Sequence, residues 1–483
     1  MKKLNNLFLI TILAMAAMVS CEDELDQSPE NSLTTDNFFN TVADFRLGLD
    51  GMYAQLLTDD DVAGIGDTYY GSVSLSGLPD ILSDNVILVQ SGRQSNRNNF
   101  EFNYTALNNI GPFNEAYEII NLANIIIERI DNLQAGADRD DILGQALAMR
   151  AFAHFDMARL YAQIPTQDPG ANGTLGVPYI KFEDGDTGDP FATPARDTVG
   201  ENYDDIIADL LEARDLIAED NGSGRFNRNA VNAFLSRVYL YMGQWQNSID
   251  AGNLVTSSLA SIDSYPAVFT DDSTDGVIML ADQDPALDNV TVGVLWSQTA
   301  SGNVISEYAL DFEFFSAISD DDVRKGVLSI IGTNNDEMHN AINKVGIDRN
   351  GVVDVKLFRT AEVFLNRAEA QFELNNEAAA LATLNQLRAV RYSANAPDGE
   401  VGAALETAIQ FERRVELAFE SHRFFDIKRR GESVQRSNFG DLSDGTGTPA
   451  SVSTLPSGDF RFQIPFPIAE INNNPNFMQN PGY

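Results

Sequence analysis

Residues 359–392, RTAEVFLNRAEAQFELNNEAAALATLNQLRAVRY, decide the fold of this chain. Their apolar side chains recur at helical steps of three and four, which places them on one stripe of a helix. The first stripe comprises Ala361, Phe364, Leu365, Ala368 and Phe372, and a second begins with Ala380, Leu384 and Leu387. Asn375 and Asn376 form a turn between the stripes. The pattern predicts two short antiparallel helices, one hairpin of the tetratricopeptide type.

Residues 404–431, ALETAIQFERRVELAFESHRFFDIKRRG, continue this helical pattern. Side chains at steps of three and four again form a stripe: Ala404, Ala408, Phe411, Val415, Ala418 and His422. The other face carries charged residues: Glu406, Glu412, Arg413, Arg414 and Glu416. We expect a third helix that packs into the same scaffold, and the stretch contains no catalytic pattern.

Helical periodicity predicts three hairpins, at about residues 113–164, 201–258 and 361–391. The long segments between them exclude a regular solenoid with a fixed repeat. Two segments, residues 58–109 and 261–355, are rich in Gly, Ser, Asn and Asp. Because loops on a rigid scaffold commonly carry binding sites, we expect both to face a ligand. The predicted fold is mainly α: a tetratricopeptide-like helical hairpin scaffold with a loop-rich ligand-facing subdomain.

The composition restricts the class of partner. The 483 residues include 71 acidic and 32 basic ones, for a net charge of −39. Nucleic acids and anionic lipid surfaces require positive charge and are excluded as partners, whereas neutral sugars are compatible. The chain has one cysteine, Cys21, and three histidines far apart in sequence. It can form no intramolecular disulfide, it lacks zinc-site spacing, and no metal or cofactor is predicted.

Residues 1–20 are predicted to be a secretory signal peptide. Lys2 and Lys3 precede an apolar run over residues 7–19. A run of 13 residues is too short for a comfortable membrane span but suits the apolar core of a cleaved signal.

Residues 18–21, MVSC, resemble a bacterial lipoprotein cleavage box. Cys21 is therefore the predicted lipidation site, and its acyl chains are the expected membrane anchor. The alternative is a cleaved signal with an incidental cysteine. Residues 21–34 are predicted to be a lipidated acidic tether, whose acidic start resembles the surface-export signal of Bacteroidetes lipoproteins; the alternative is a merely solvated tether.

The two stretches quoted above and the end of the chain together carry a family resemblance. Residues 460–483 read FRFQIPFPIAEINNNPNFMQNPGY. The ensemble resembles the C-terminal signature of SusD/RagB-like lipoproteins, the nutrient-binding partners of TonB-dependent transporters in Bacteroidetes. Phe466 stands where that signature usually has Ile, and Thr360 where it commonly has Tyr.

The resemblance implies one SusD-like domain over residues 35–483. It also implies a non-catalytic protein, lipid-anchored to the outer membrane and facing the cell exterior. Such a protein captures oligosaccharide or polysaccharide for a SusC-like TonB-dependent transporter. The alternatives are a binder of a peptide or other nutrient in the same family, a periplasm-facing tetratricopeptide adaptor lipoprotein, and a hydrolase.

Sugar recognition uses aromatic faces together with polar groups that bond hydroxyls. Eight residues of the two loop-rich regions are candidates for glycan binding: Trp296, Tyr69, Tyr70, Asp84, Asn85, Phe100, Tyr104 and Tyr308. Trp296 is the first choice because it is one of two tryptophans and lies outside the helical repeats. The alternative for each aromatic residue is core packing.

Two acidic patterns bear on metal binding and catalysis. Residues 271–276, DDSTDG, loosely fit the start of a calcium loop, but the twelfth position is Asp282 rather than Glu, so an acidic surface turn is preferred. Aspartate runs at 59–61 and 320–322 do not establish the paired carboxylates of a glycosidase, because spacing across a sugar cannot be read from adjacency.

Overall fold

The computed structural model describes residues 38–57, 69–71, 74–107, 110–182, 192–283, 292–300, 303–345 and 352–483. The predicted signal peptide, Cys21 and the tether lie outside these ranges and stay predictions. Within the described ranges, no helix combines the length and the apolar character needed to cross a membrane.

Sixteen α-helices occupy the described residues. They are α1 (Val42–Ala54), α2 (Leu78–Ile81), α3 (Arg97–Phe100), α4 (Phe113–Arg129), α5 (Ala137–Tyr161), α6 (Val199–Leu216), α7 (Arg228–Tyr241), α8 (Trp245–Asn253), α9 (Tyr265–Val268), α10 (Phe312–Ala317), α11 (Val323–Leu328), α12 (Thr360–Glu373), α13 (Glu377–Arg388), α14 (Ala403–Leu417), α15 (Arg423–Arg429) and α16 (Ile468–Asn473).

Ten short strands complete the described part of the chain. They are β1 (Val86–Leu88), β2 (Val277–Ala281), β3 (Ser297–Ala300), β4 (Asn303–Ser306), β5 (Tyr308–Leu310), β6 (Ser329–Asn334), β7 (Glu337–Ile342), β8 (Val355–Arg359), β9 (Val434–Gln435) and β10 (Thr454–Leu455). One sheet has four strands in the order β1-β5-β7-β6; the pairs β2-β8, β3-β4 and β9-β10 are antiparallel ribbons.

Helix pairs that pack on each other build the scaffold: α4 with α5, α7 with α8, and α12 with α13. The 25-residue helix α5 lies at its centre and also contacts α1 and α6. Phe152 and Phe155 of α5 meet the ring of Phe234 in α7, with centroid distances of 5.6 and 5.3 Å. Such aromatic contacts add to the area buried. The mainly α prediction is confirmed.

The predicted hairpin at residues 201–258 contains three helices instead of two. α7 ends at Tyr241 and α8 begins at Trp245. Gly243 between them has φ +68°, a left-handed conformation that glycine adopts without penalty and that ends a helix. α6 packs mainly on α5, so the hairpin proper is α7–α8.

The predicted third helix is shorter than the apolar stripe indicates. α14 ends at Leu417, because Phe419 and Ser421 both have φ +64°. Lys344 compensates the freed carbonyls at this end: its Nζ donates to the main-chain oxygens of Glu416 and Ala418 at 2.8 and 2.9 Å. The chain turns and begins the separate helix α15.

The charged face of α14 is buried where it carries Glu412, Arg413 and Glu416, each at most 1% exposed. Arg359 Nη1 donates to Glu416 Oε1 at 2.8 Å, and Arg391 Nε donates to Glu416 Oε2 at 2.8 Å. These arginines come from β8 and from the end of the α13 segment. The charges are tolerated inside because each carboxylate is paired and hydrogen-bonded.

The C-terminal tail packs onto the scaffold through Phe466, one of the two departures from the family signature. Its ring stacks on Tyr161 of α5 with a centroid distance of 4.8 Å, and meets Phe113 edge-on at 5.8 Å. Phe466 is fully buried. The aromatic ring at this position therefore joins the tail to the α4–α5 pair.

Candidate ligand-binding cleft

The four-stranded sheet joins the two loop-rich regions predicted to face a ligand. β1 belongs to the first region, and β5, β6 and β7 belong to the second. Val86 pairs with Leu310 and Leu88 with Tyr308 in antiparallel register. We call residues 86–100 and the described part of 292–345 the β-rich subdomain. The segments expected to be mostly loop therefore contain short strands that position one another.

A tight turn and one amide fix the rim of this subdomain. Asn335 and Asp336 link β6 to β7 with φ values of +49° and +67°, the conformation of a two-residue hairpin turn. The side chain of Asn334 bridges to β4: its Oδ1 accepts from Ser306 N at 3.0 Å, and its Nδ2 donates to Ser306 O at 2.9 Å. The β3–β4 hairpin is thereby held against β6.

A cleft of about 230 Å³ lies between these elements. Its walls are the segment after β1, the β3–β4 hairpin with the turn preceding it, and the β6–β7 turn. Both predicted ligand-facing regions contribute to it. The described lining residues are Ser91, Gly92, Arg93, Val294, Gln298, Ile305, Ser306, Glu307, Asn334 and Asn335.

Glu307 is the fixed charge of the cleft, with a side chain only 4% exposed. Its carboxylate accepts hydrogen bonds from Ser95 N, from Ser95 Oγ at 3.2 Å and from Asn96 N at 3.4 Å. Arg93 Nη2 lies 3.3 Å from Glu307 Oε2, yet the Arg93 side chain is 61% exposed. The carboxylate thus holds the loop, while most of the guanidinium faces solvent.

The groups at the cleft surface are hydrogen-bonding amides, hydroxyls and one guanidinium. Gln298 Nε2 donates to Val294 O at 3.2 Å, which orients the Gln298 amide. Ser91 Oγ lies 3.4 Å from Nε2 of the buried His339, whose Nδ1 donates to Asp441 O at 2.7 Å. None of the described lining residues is aromatic, and the polar groups share the lining with the apolar side chains of Val294 and Ile305.

The eight glycan-binding candidates are all buried, at most 7% exposed, and lie in four separate places. Trp296, Tyr308 and Phe100 form one cluster behind the cleft: Tyr308 lies 5.9 Å from Trp296 and 6.0 Å from Phe100 between ring centroids. Trp296 O accepts from Glu307 N at 3.2 Å. These three support the wall that carries Glu307, and the structure brings only them together near the cleft.

Tyr69 and Tyr70 lie against the helical scaffold. Both hydroxyls donate to Asp156 Oδ2 of α5, at 2.9 and 3.0 Å. Burial and the neighbouring Asp156 raise the pKa of both phenols well above the usual value. They tie their segment to the core.

Asp84, Asn85 and Tyr104 contact the C-terminal part of the chain. Asp84 Oδ1 accepts from Arg423 Nε at 2.7 Å, and Asn85 Oδ1 accepts from Arg414 Nε at 2.8 Å. Tyr104 donates to the main-chain oxygen of Arg461. Direct ligand contact by any of the eight stays a prediction. In this structure all eight side chains are interior: aromatic rings cover Trp296, Tyr308 and Phe100, and polar partners from distant segments hold the other five.

In residues 271–276, which loosely fit the start of a calcium loop, the first carboxylate pairs with a lysine. Asp271 Oδ1 accepts from Lys356 Nζ, and Asp271 Oδ2 accepts from Asp354 N at 3.2 Å. Within the described ranges no group of three or more His, Cys, Asp or Glu side chains is arranged to hold a metal ion. The segment is an acidic turn anchored to β8.

The cleft residues Arg93, Gln298, Glu307 and Asn335 were not candidates from sequence. Arg and Asn in a loop-rich acidic chain carry no local signal of their own. The Asn-Asp pair at 335–336 was the one available signal, because such pairs favour tight hairpin turns.

Comparisons with known proteins agree with this architecture. A family model described as the SusD family matches residues 224–483, and one described as "Starch-binding associating with outer membrane" matches residues 24–240. SusD-like protein P2 of Formosa agariphila is 25% identical over 550 aligned residues that cover 100% of both chains. Starch-binding protein SusD of Bacteroides thetaiotaomicron is 32% identical over 130 residues, 27% of this chain and 22% of that protein.

Solved structures show the same fold. A SusD superfamily protein from Bacteroides thetaiotaomicron has a TM-score of 0.77 at 25% identity, covering 91% of this chain and 100% of its own. A SusD-like carbohydrate binding protein from Bacteroides vulgatus has a TM-score of 0.76 at 24% identity, covering 91% of this chain and 98% of its own. Because one SusD family model by itself spans more than half of the sequence, this chain belongs to the SusD family.

Proposed function

We propose that this SusD-family protein is a lipid-anchored glycan-binding protein on the outer surface of the outer membrane. In this proposal it captures an oligosaccharide or polysaccharide and presents it to a SusC-like TonB-dependent transporter. The observation that carries the proposal is the cleft at which both loop-rich regions converge. The starch-binding and carbohydrate-binding names of its relatives support a glycan as the ligand class.

The cleft offers donors and acceptors that suit sugar hydroxyls. The exposed Arg93 guanidinium and the amides of Gln298 and Asn335 can each form paired hydrogen bonds with neighbouring hydroxyls. Ile305, 36% exposed, adds an apolar surface on the β3–β4 hairpin. Arg93 and Glu307 offset each other's charge, so the described cleft has no net charge to repel a neutral sugar.

The same geometry supports binding without chemistry. Glycoside hydrolysis uses two carboxylates on either side of the scissile bond. Glu307 is engaged by Ser95, Asn96 and Arg93, and this engagement makes it a structural anchor of the loop. The ligand is accordingly released unaltered.

Intrinsic fluorescence tests the ligand class. Trp245→Phe leaves Trp296, which is fully buried behind the cleft, as the sole tryptophan. In this background, maltoheptaose, laminarin, xylan and a mixture of short peptides are titrated. We expect a saturable change with at least one glycan, and an affinity at least tenfold lower with Arg93→Ala plus Asn335→Ala. Arg46→Ala is the control: Arg46 lies on α1, its side chain is 58% exposed, and it lines neither described cleft.

Saturation by peptides alone, or the release of reducing ends from a bound glycan, would contradict glycan capture. The location is tested separately on cells. Protease added to intact cells should remove the protein, and Cys21→Ala should release it from the membrane fraction. We expect a large outer-membrane barrel to copurify under gentle detergent, and its absence would count against a transporter partner. Protection of the protein from added protease would favour the periplasm-facing adaptor.

A further inference from the structure

A second cleft, of about 470 Å³, opens on the helical scaffold and shares no residue with the first. It lies between the end of α6, the first turn of α7 and the segment after α8. The residues that matter are Arg214, Asp215, Glu219, Arg228, Asn232 and Leu254. These residues all belong to the stretch 192–283, which the structure describes without a gap.

Asn232 is the unusual residue of this cleft. It is 4% exposed, and its Oδ1 is buried without a hydrogen-bond partner in the described structure. Arg228, one helical turn earlier, has a second unpartnered group: its Nε is buried and free, although its Nη1 and Nη2 bind Glu219 and Ile217 O. Buried polar groups are normally satisfied. An open acceptor and an open donor one helical turn apart at the same cleft are groups that a bound ligand would satisfy.

The neighbouring Asn229 provides an internal comparison. Its Oδ1 accepts from Thr256 N at 2.8 Å, and its Nδ2 donates to Ser257 Oγ at 3.3 Å. This amide closes the helix against the following segment and has a structural role. The Oδ1 of Asn232, three residues further on the same helix, has no such partner in the ranges that the structure describes.

The spacing and charge of the cleft select its ligand. Residues four apart on a helix lie about 6 Å apart, and alternate residues of an extended chain repeat at about 6.6 Å. The distance between Arg228 and Asn232 therefore matches the distance between two peptide groups that point to the same side of an extended chain. The charges of the rim are paired, Arg214 with Asp215 at 3.1 Å and Arg228 with Glu219. Leu254, 53% exposed, offers an apolar contact for a side chain of such a segment.

We propose that this cleft binds an extended, uncharged polypeptide segment of a partner protein. The Asn232 amide pairs with one peptide group, Arg228 Nε donates to the carbonyl of another, and an apolar side chain rests on Leu254. The proposal is independent of the glycan cleft, and either can fail alone.

Ligand-observed saturation-transfer NMR on the full chain tests it with three probes: N-acetyl-leucine N-methylamide, methyl β-D-glucopyranoside and sodium acetate. We expect transfer to the peptide mimic, reduced at least fivefold by Asn232→Leu and by Asn232→Ala. Arg93→Ala, in the other cleft, should leave that signal unchanged. No transfer to the peptide mimic, or transfer that both Asn232 variants retain, overturns the proposal. Asn232-dependent transfer to the glucoside or to acetate overturns it in favour of a sugar or anion site.

Thermal unfolding without ligand separates binding from structure. Asn232→Leu removes an unsatisfied buried amide, so its Tm should equal or exceed that of the parent protein. Asn229→Leu removes a satisfied amide and should lower Tm. A fall of Tm in Asn232→Leu as large as that in Asn229→Leu would show that Asn232 serves packing and would overturn the proposal.

Discussion

The carboxylates of Glu416 in the helical scaffold and Glu307 in the cleft wall are both buried, and both pair with arginine. The partners differ. Glu416 meets three guanidiniums, of Arg359, Arg391 and Arg324, whose side chains are at most 3% exposed. Among the described residues Glu307 meets one arginine, Arg93, whose side chain is 61% exposed.

This difference distinguishes an ion pair that stabilises the fold from one that leaves a guanidinium available to a ligand. When both members of an ion pair are buried, removing one leaves an uncompensated charge inside, and the elements that carry them become dependent on each other. When one member stays exposed, its pair contributes little to stability, and its remaining donors are free for a ligand. The scaffold uses the first arrangement and the cleft the second.

Glu416→Gln is expected to have the largest effect on stability. Burial by itself would raise the pKa of the Glu416 carboxyl, but Arg391, Arg359 and Arg324 outweigh burial and hold it well below the usual value. The neutral amide removes the carboxylate that pairs with buried Arg391, while Arg324 keeps Asp322 and Arg359 keeps Glu420. Because a buried cation is then left uncompensated, we expect a loss of about 3–5 kcal/mol in the free energy of unfolding. Urea unfolding followed by tryptophan fluorescence measures it. Glu406→Gln, on the exposed face of the same helix, should change it by less than about 0.5 kcal/mol; equal effects would contradict the distinction.

Asp80→Asn is expected to stabilise the protein, because Asp80 is a buried carboxylate that pairs with no cation in the described part of the chain. Its Oδ1 accepts from Asn85 Nδ2 at 2.7 Å and from Phe419 N at 3.3 Å, and its Oδ2 has no partner in the described residues. Burial raises the pKa of this carboxyl from 3.8 to about 6. The folded protein therefore holds the proton more tightly than the unfolded chain, and the wild type loses stability as the pH rises from about 4 to 6.

The amide carries no charge at any pH, so the gain from Asp80→Asn should reach about 3 kcal/mol near pH 7.5 and fade towards pH 4. Urea unfolding at pH 4.0, 5.5 and 7.5 checks this trend. A gain of the same size at all three values, or a loss at pH 7.5, would show that the buried negative charge of Asp80 does not destabilise the folded protein.

Glu307→Gln is expected to have a smaller effect, about 1–2 kcal/mol, because it weakens charge-assisted hydrogen bonds from Ser95 and Asn96 without stranding a buried cation. Glycan affinity should fall with it, since Arg93 loses its fixed position. Both quantities are measured on the same preparation, with Glu337→Gln at the exposed β6–β7 turn as the control. If Glu307→Gln lowered the free energy of unfolding more than Glu416→Gln does, the ion pair of the cleft would support the fold more than that of the scaffold, contrary to our interpretation.

Arg93→Ala is expected to have the smallest effect on stability, below about 0.5 kcal/mol, because the side chain is largely exposed. Its effect on glycan binding should be about tenfold, equivalent to about 1.4 kcal/mol. Isothermal titration with the glycan found by fluorescence gives the second value. If Arg93→Ala destabilised the protein and left glycan affinity unchanged, Arg93 would have a structural role and no role in binding.

Apolar periodicity located most of the long helices, because a helix buries one stripe and that stripe is local in sequence. It failed where a local conformation intervened: Gly243 divides one predicted helix, and Phe419 and Ser421 shorten another. It also could not show that Glu412 and Glu416 are interior, since their cationic partners lie on other elements.

The site was predicted only to the level of regions. The two loop-rich segments do meet in one cleft, but their aromatic residues turned inward. Trp296 and Tyr308 are covered by Phe419 and Phe100, rings from distant or separate segments. Exposure of a side chain depends on such long-range neighbours, and no spacing rule along one segment predicts them.

The sequence by itself determined the helical class, the family and the positions of the two loop-rich regions, because these follow from periodicity, composition and contiguous signatures. The tertiary structure alone decided which polar groups are buried in pairs and which remain free at a surface. The reason is electrostatic: a charged side chain is tolerated inside only beside its partner, and the partners here are brought together by folding rather than by adjacency in the chain.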